Sequence, residues 1–448
     1  MEIQKELEKG MQKPFKRIIS ANIGDAHAMG QLPITFFRQV LSCVLNPAQI
    51  KSADFPHDVK ARACELLAGC GGAAGSYTPG TGMECVRRHV ADFIARRDGY
   101  SADWQDICLT QGASAGIKHC LQMFCTTLGA KDSGVMIPVP QYPLYPAALA
   151  EYGLGQVDYY LNEDKNWSVE RTELERAYVE GSKTHDVRAL VVINPGNPTG
   201  QVLSEENMKG IVEFAQKYGL FVLADEVNQE NVYAEGSKFT SFKKIIMDMG
   251  PPYNETELAS FMSISKGYMG ECGLRGGWME LVNMDPDVQA NLYKAISAMR
   301  CPNTIGQCII DMVARPPHPS EPSYDQWMQE KSGVLNSLEE RSKMVVDTFN
   351  KMVGFTCNGV QGAMFAFPRI DLPLKAVVAA RADKQSPDVF YAFKLLEETG
   401  ICIVPGSRFG QLPGTHHFRT SILPQTELLR EMLDYMELFH GKFTLQFS

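Results

Sequence analysis

The chain has 448 residues, of which 44% are hydrophobic and 21% are charged, and its formal net charge is −9. This composition is typical of a globular protein with two or three domains, or with one large core and a smaller appendage. The negative charge argues against nucleic acid and anionic membrane surfaces as partners, and no apolar run approaches the roughly 18 residues of a membrane span. We therefore expect no nucleic-acid partner and no membrane partner.

The cysteine pattern indicates the redox environment. Twelve cysteines are scattered along the chain without a CxxC pair or another regular spacing. This favours reduced thiols over a disulfide framework, and it predicts a cytoplasmic location and no metal site. The N-terminal residues are acidic and helix-forming, which is not typical of signal or transit peptides. An organellar form with a removed transit peptide stays open as an alternative.

The first hundred residues are predicted to be helices joined by glycine-bearing loops. Amphipathic spacing predicts helices over 2–12, 33–45, 57–68 and 83–97. Residues 69–75 superficially match a GxGxxA dinucleotide-binding motif. They follow a helix where that motif requires a strand, so a mobile or ligand-covering loop is the favoured interpretation.

Strands and helices alternate from residue 107 to residue 283. Short apolar runs predict strands over 107–110, 134–138, 157–161, 189–193, 221–224, 260–264 and 277–282. Clear helices lie between several of them, over 114–128, 169–179 and 205–218, the last with Ser204 as its cap. Such alternation predicts an α/β fold with a mostly parallel seven-stranded sheet covered by helices. Ligands of such sheets bind in the loops that follow the carboxyl ends of the strands.

The pattern changes after a proline-rich segment at 315–322. A long helix over 324–352 is followed by predicted strands at 365–370, 401–404 and 417–422 and by helices at 387–400 and 425–440. This mixture predicts a smaller α+β domain. The predicted division is a large domain of residues 45–330 and a small domain of residues 1–44 and 331–448.

A lysine in a glycine-rich segment is the first candidate site residue. Lys266 follows an apolar run, and glycines recur up to Gly277. Glycine permits close approach of the backbone and positive φ, which a lysine bonded to a bulky group requires. Taken alone, the segment is equally well interpreted as a glycine-rich turn with a solvated lysine.

Two strand-end loops suggest contacts to an anion and to a ring. Ala113 and Ser114 are small residues at a predicted helix N-terminus, where free N–H groups and the helix dipole favour a phosphate. An ordinary helix cap is the alternative interpretation. Tyr142 lies in a proline-held loop that could present it to a flat ring or pack it within the connection.

Three further polar residues occupy unusual positions. Asn197 lies in a run of turn-forming residues, 194–200, directly after a buried strand, and its amide could donate to a phenolic oxygen. Asp225 ends a buried strand, where an acid needs a partner such as a protonated ring nitrogen, a salt bridge or a helix N-terminus. Arg419 lies in an apolar strand and would suit a planar carboxylate or a structural ion pair.

The motifs together resemble those of the fold-type I enzymes that use pyridoxal phosphate (PLP), specifically the class I/II aminotransferases. This cofactor has an aldehyde for a lysine, a phosphate for a helix N-terminus, a ring nitrogen for an acid and a phenolic oxygen for an amide. The matching segments follow one another along almost the whole chain, at 112–114, 140–142, 194–200, 225–227, 263–266, 273–277 and 419. Segments 22–31, 405–411 and 414–419 more narrowly resemble the alanine aminotransferase branch.

The resemblance implies a role for each candidate residue. Lys266 would bond to the cofactor aldehyde and move the proton between the substrate Cα and the cofactor. Asp225 would keep the ring nitrogen protonated, Asn197 would contact the phenolic oxygen and Tyr142 would stack on the ring. The phosphate would be held by Ala113, Ser114, Ser263 and Arg275.

The resemblance also implies substrate contacts and an assembly. Arg419 would bind the α-carboxylate of an amino acid or 2-oxo acid, with the backbone around Gly24 closing over it. Tyr77 would reach the phosphate of a neighbouring subunit, so the enzyme would be a homodimer with shared active sites. The family usually reads Asp-Glu-Val-Tyr, where the tyrosine donates to the phenolic oxygen, and this chain has Asn228 after Asp225-Glu-Val. An asparagine amide can donate the same hydrogen bond but is shorter and not acidic, so the effect of the replacement stays open.

The implied reaction is ping-pong transfer of the amino group from L-alanine to 2-oxoglutarate, giving pyruvate and L-glutamate. Glutamate:glyoxylate aminotransferase activity is the nearest alternative, and a PLP-dependent lyase is a more distant one. A non-enzymatic regulator with this fold would carry a DNA-binding module, for which the chain has neither room nor a basic patch. The residue that would bind the distal carboxylate of 2-oxoglutarate is not indicated by the sequence.

Overall fold

A seven-stranded sheet forms the centre of the protein. The computed structural model describes residues 2–126 and 129–448. The strands of the central sheet are β1 Ile107–Thr110, β2 Ser133–Val139, β3 Gly155–Tyr160, β4 Asp186–Ile193, β5 Phe221–Asp225, β6 Leu258–Ser263 and β7 Gly277–Val282. Their order is β1-β7-β6-β5-β4-β2-β3. Strand β7 runs antiparallel to β1 and β6, and all other neighbouring pairs are parallel. The predicted fold class is therefore confirmed.

The predicted strands lie within a few residues of the observed ones because their apolar runs are long enough to be buried on both faces. Every residue of β2, β5, β6 and β7 is buried. Strands covered by helices on both sides read as continuous apolar runs, which distinguishes them from alternating half-exposed strands.

Helices precede the sheet and cover it. They are α1 Glu2–Glu8, α2 Thr35–Leu45, α3 His57–Gly69, α4 Glu84–Asp98, α5 Ala113–Gln122, α6 Leu144–Tyr152, α7 Arg171–Gly181, α8 Glu205–Tyr218, α9 Phe242–Met249, α10 Pro286–Ser297 and α11 Thr304–Ala314. The predicted bounds of α8 are confirmed: Ser204 Oγ accepts a hydrogen bond from the Asn207 N–H at 3.2 Å, and Gly219 ends the helix in the left-handed conformation.

Two predicted helices are shorter in the structure. Helix α1 ends at Glu8, and α5 ends at Gln122, before the predicted end at 128. Past α5 the chain continues through tight i→i−3 hydrogen bonds, with the Phe124 N–H donating to Leu121 at 3.0 Å. Residues 127 and 128 of the predicted helix lie outside the described residues.

A smaller α+β unit follows the large sheet. Its elements are α12 Tyr324–Lys351, β8 Phe355–Thr356, β9 Phe365–Ala366, β10 Arg369–Ile370, α13 Leu374–Ala382, α14 Pro387–Thr399, β11 Val404–Pro405, β12 Phe418–Ser421 and α15 Thr426–Phe447. The single strand predicted over 365–370 is divided into β9 and β10 around Pro368, which has no N–H to donate to a ladder. The strand predicted over 401–404 is reduced to an isolated bridge between Ile401 and Ile19, followed by β11.

Helix α12 links the two units, because Trp327 at its start and Phe349 near its end belong to different hydrophobic cores. The N-terminal segment contributes Ile19 to the core of the smaller unit. Phe37 and Val40 of α2 instead pack in a core of the larger unit. The division at residues 44/45 and 330/331 stays a prediction, and this packing favours a first boundary ahead of α2.

No helix within residues 2–126 and 129–448 combines the length and the apolar character needed to cross a membrane. The carboxyl ends of β2, β4, β5 and β6 lead into the loops that hold the candidate site residues. Because neighbouring parallel strands end at the same edge of the sheet, these loops meet in one place.

Candidate active site

A cavity of about 240 Å³ lies at this edge of the sheet. Eight of the predicted site residues line it: Ala113, Ser114, Tyr142, Asn197, Asp225, Ser263, Lys266 and Arg275. Gly24 and Arg419 are not in its wall but contact residues that are. Ser265 and Cys272 also line it and were not predicted as site residues. Ser265 was findable, since it lies within the Ser-x-Ser-Lys motif.

Lys266 lies in the loop after β6 and is held by a backbone carbonyl from the N-terminal segment. Its Nζ donates a hydrogen bond to the Gly24 carbonyl oxygen at 2.6 Å. Burial lowers the pKa of Lys266; the thiol of Cys272 opposes this effect and the positive charge of Arg419 adds to it. A lysine with a lowered pKa is more often neutral and is therefore a better nucleophile and base.

Asp225 ends β5 with its carboxylate in the cavity wall and is only 4% exposed. Its Oδ2 accepts a hydrogen bond from the Tyr145 hydroxyl at 2.9 Å. Burial raises the pKa of Asp225 to about 6, and the Tyr145 hydrogen bond opposes this effect. Tyr145 was missed in the sequence, where nothing distinguishes it from the neighbouring Tyr142. A buried carboxyl without a cationic partner favours a ligand that brings a positive charge.

Asp225→Asn is expected to stabilise the ligand-free protein above pH 6. The folded-state pKa of about 6 lies above the ordinary 3.8. Asp225 therefore contributes stability that is fully present below pH 3.8 and is lost as pH rises through 6. The loss at pH 8 is about 3 kcal/mol, and an uncharged asparagine avoids it.

Urea unfolding at pH 4 and pH 8 measures this difference. The variant should match the wild type near pH 4 and exceed it at pH 8, while Asp434→Asn at an exposed position should change neither value. If the free energy of unfolding changed equally between pH 4 and pH 8 in the wild type and in Asp225→Asn, the expected cost of burying the charge would be contradicted.

Arg419 on β12 is buried beside Asn197. Its Nη1 donates to Asn197 Oδ1 at 3.2 Å and its Nη2 donates to the Asn22 carbonyl at 2.9 Å. The guanidinium lies 4.0 Å from the ring centroid of Phe365 and 4.7 Å from that of Phe409. Burial lowers the pKa of Arg419 to about 10.

The guanidinium of Arg419 has no carboxylate partner among the described residues, and its Nε is buried without a hydrogen bond. An uncompensated buried cation is unfavourable in the ligand-free protein. A planar carboxylate would restore the balance through two parallel hydrogen bonds. The structure therefore brings Arg419 to a position that suits a carboxylate ligand.

The N-terminus of α5 and Arg275 form a cationic corner of the cavity. Arg275 donates to the Ser265 hydroxyl at 3.3 Å and to the Gln111 carbonyl at 3.0 Å. Gly112 precedes α5 with φ +85°, and a Cβ at this position would lie 2.5 Å from Nη2 of Arg275. Glycine at 112 thus lets the guanidinium approach the free N–H groups of α5, a combination that favours an anion.

Tyr77 is not part of the cavity wall. Its side chain is 81% exposed, and the guanidinium of Arg300 lies 5.9 Å from its ring centroid. The structure does not bring Tyr77 together with the other predicted residues of the same chain. Its assignment to a neighbouring subunit stays a prediction.

Comparison with known proteins agrees with this fold and identifies its family. The family model "Aminotransferase class I and II" matches residues 47–435. The chain belongs to this family of amino-group transferases, and the family assignment made from the sequence is confirmed.

Relatives similar over the whole chain include "Alanine aminotransferase 2-like" of Danio rerio, with 52% identity over 100% of this chain and 82% of the relative. "Alanine aminotransferase 1" of Homo sapiens is 51% identical over 100% of this chain and 91% of its own. Among solved structures, the alanine aminotransferase of Pyrococcus furiosus has a TM-score of 0.76 at 22% identity and covers 98% of this chain and 95% of its own.

Proposed function

We propose that this aminotransferase transfers the amino group of L-alanine to 2-oxoglutarate and produces pyruvate and L-glutamate in two successive half-reactions. The observation that carries the proposal is the full-length similarity to relatives named alanine aminotransferase, at 51% and 52% identity.

We propose pyridoxal 5′-phosphate as the cofactor, since the residues of the cavity fit each of its parts. The cationic corner of Arg275 and the N-terminus of α5 suits a phosphate. Asp225, which is buried and has no cationic partner among the described residues, suits a protonated ring nitrogen. Lys266 lies in the same cavity with a lowered pKa, as a residue that bonds to an aldehyde requires. Tyr142 lines the cavity and could lie against the ring.

The cofactor, when bound, supplies an electron-accepting ring that makes the α-proton of an amino acid removable and keeps the amino group between the half-reactions. Lys266 Nζ would act as the base that takes the proton from the substrate Cα and as the acid that gives it back. Asp225 would keep the ring nitrogen protonated, because a pair of opposite charges would offset the cost of burying its carboxylate. Ser263 and Ser114 add hydroxyl donors at the phosphate end of the cavity.

Substrate binding depends on Arg419 and on the backbone of the N-terminal segment. Arg419 would pair with the α-carboxylate of both alanine and 2-oxoglutarate. Gly24 keeps this segment close to the site, because a Cβ there would lie 2.6 Å from Phe365 Cζ and 3.0 Å from Lys266 Nζ. This close approach lets the Gly24 carbonyl accept the hydrogen bond from Lys266 Nζ.

We also propose a homodimer in which Tyr77 contributes to the partner's site. Tyr77 and Met299 are exposed by 81% and 67%, and the loop after Tyr77 lies against the loop of Met299, where Gly80 packs on Ser297. Exposed large apolar side chains that lie together are typical of an interface. Sedimentation of the purified chain tests this assembly.

A cytoplasmic location is proposed as well. All twelve cysteines are free, which is typical of a reducing compartment. The Dictyostelium discoideum relative, 45% identical over 99% of this chain, is named a probable mitochondrial alanine aminotransferase, so cell fractionation has to distinguish the two compartments.

The reaction is tested by following pyruvate formation from L-alanine by the purified, PLP-loaded protein with and without 2-oxoglutarate. We expect many turnovers with equal amounts of pyruvate and glutamate when the acceptor is present. Without the acceptor we expect no more than one pyruvate per active site, because the first half-reaction alone releases one. Pyruvate formed well beyond one molecule per active site without an acceptor would show that the amino group is not passed to an acceptor, and it would refute the proposed transfer. Activity with glyoxylate but not 2-oxoglutarate as the acceptor would replace the proposed reaction with the glyoxylate-dependent one.

A further inference from the structure

Asn228 occupies a buried position in the cavity wall with its amide only half satisfied. It follows β5 by three residues, is 2% exposed and lines the cavity together with Asp225 and Lys266. Its Nδ2 donates to the Pro195 carbonyl at 3.2 Å, whereas its Oδ1 is buried and has no hydrogen-bond partner among the described residues. A buried acceptor without a donor is unfavourable, so this oxygen marks a place for a donor from a ligand.

The orientation of the amide is determined by Pro195. A backbone carbonyl only accepts hydrogen bonds, and rotation of the amide by 180° would place Oδ1 of Asn228 against it. Nδ2 is therefore committed to the protein, and the group that Asn228 offers to the cavity is an acceptor.

Asn197 offers the opposite group to the same cavity. Its Oδ1 accepts from Arg419 Nη1 at 3.2 Å, and its Nδ2 has no hydrogen-bond partner among the described residues. The pair thus presents one amide donor and one amide acceptor. A neutral hydroxyl group satisfies both, because it accepts one hydrogen bond and donates another, whereas an ionised oxygen only accepts.

We infer that Asn228 Oδ1 accepts a hydrogen bond from the ring hydroxyl of the cofactor, and that Asn197 and Asn228 together favour the protonated form of this hydroxyl. The inference rests on the proposed PLP-dependent function. Asn228 would thus accept a hydrogen bond from the ring hydroxyl, whereas the tyrosine that the family usually has at this position would donate one to it.

Other charged groups around the cavity influence the same hydroxyl. The titratable and charged side chains are those of Tyr142, Asp225, Lys266, Cys272 and Arg275 in the wall and of Arg419 behind Asn197. The three cations favour an ionised hydroxyl and Asp225 opposes it. The effect of Asn228 differs from that of these charges. Its Oδ1 can form a hydrogen bond only with the protonated hydroxyl, so the bond stabilises that form alone.

The test measures binding of pyridoxine 5′-phosphate and its 3-deoxy analogue to the ligand-free wild type and to Asn228→Leu. Neither ligand has an aldehyde, so binding is reversible and independent of the bond to Lys266. We expect the wild type to bind the hydroxyl-bearing ligand more tightly than the 3-deoxy analogue. The ratio of the two dissociation constants should shrink by roughly fivefold in the variant, which is the effect of one hydrogen bond. Absorbance of the bound ligand should show that its hydroxyl keeps the proton to higher pH in the wild type.

The outcomes separate this inference from the proposed function. A wild type that binds neither ligand would overturn both. Binding of both ligands with the same preference in the two proteins, or with overlapping titrations, would overturn the role of Asn228 alone. If Asn228→Leu does not fold, the wild type still decides: tighter binding of the ionised than of the protonated hydroxyl would refute the inference.

Discussion

Replacing Lys266 with alanine is expected to lower kcat for transamination by roughly 10⁴-fold, the upper range for loss of a proton-transferring group. Lys266 is the lysine in the cavity wall, and its pKa is lowered by burial, so its amine is suited to take the α-proton. The measurement is the rate of pyruvate formation at saturating alanine and 2-oxoglutarate, together with thermal unfolding to verify that the variant folds.

Lys331 provides a matched control for this substitution. Its Nζ lies 4.7 Å from the ring centroid of Tyr268 and pairs with Glu230 at 3.2 Å, outside the cavity. Lys331→Ala removes a partly exposed ion pair and should leave kcat within about twofold of the wild type. A Lys266→Ala variant that keeps a tenth or more of the wild-type activity would show that another group moves the proton.

Replacing Arg419 with alanine is expected to raise KM for both L-alanine and 2-oxoglutarate by roughly 100-fold, because a charge-assisted pair with the α-carboxylate is lost from both substrates. Arg419→Lys should recover only part of the affinity, since an ammonium group keeps the charge but not the planar fork of donors. Steady-state kinetics with each substrate varied in turn separates the effect on KM from that on kcat.

Arg408 is the control for Arg419. It lies eleven residues earlier on an exposed turn, and Arg408→Ala should leave both KM values unchanged. If Arg419→Ala raised KM for only one of the two substrates, its partner would be a group that the substrates do not share, and the assignment to the α-carboxylate would be wrong.

Much of the fold and part of the site could be predicted from the sequence, because the relevant signals are local. A buried strand needs a continuous apolar run, and the residue after such a run lies at the carboxyl edge of a parallel sheet. Asp225 and Asn197 were therefore recognisable as polar residues at strand ends, and Lys266 as a lysine among glycines. The bounds of α8 were predictable for the same reason, since its cap and its final glycine are adjacent to the helix.

Contacts between distant segments could not be predicted in this way. Lys266 and Gly24 are 242 residues apart, and Arg419 and Asn197 are 222 apart, yet each pair is joined by one hydrogen bond. Neither hydrogen bond is indicated by a periodicity or a residue spacing in the sequence. They form because folding brings the N-terminal segment and β12 to the loops at the carboxyl ends of the strands.

The residue types and their order along the chain thus specify the sheet, the strand-end loops and the chemistry that these loops offer. The polarity of each group toward the ligand is set by packing. An amide has one donor end and one acceptor end. The Pro195 carbonyl in a neighbouring loop takes the donor of Asn228 and leaves its acceptor without a partner among the described residues. The sequence determines which hydrogen-bonding groups a side chain has. The orientation of those groups depends on partners that only folding brings within hydrogen-bond distance.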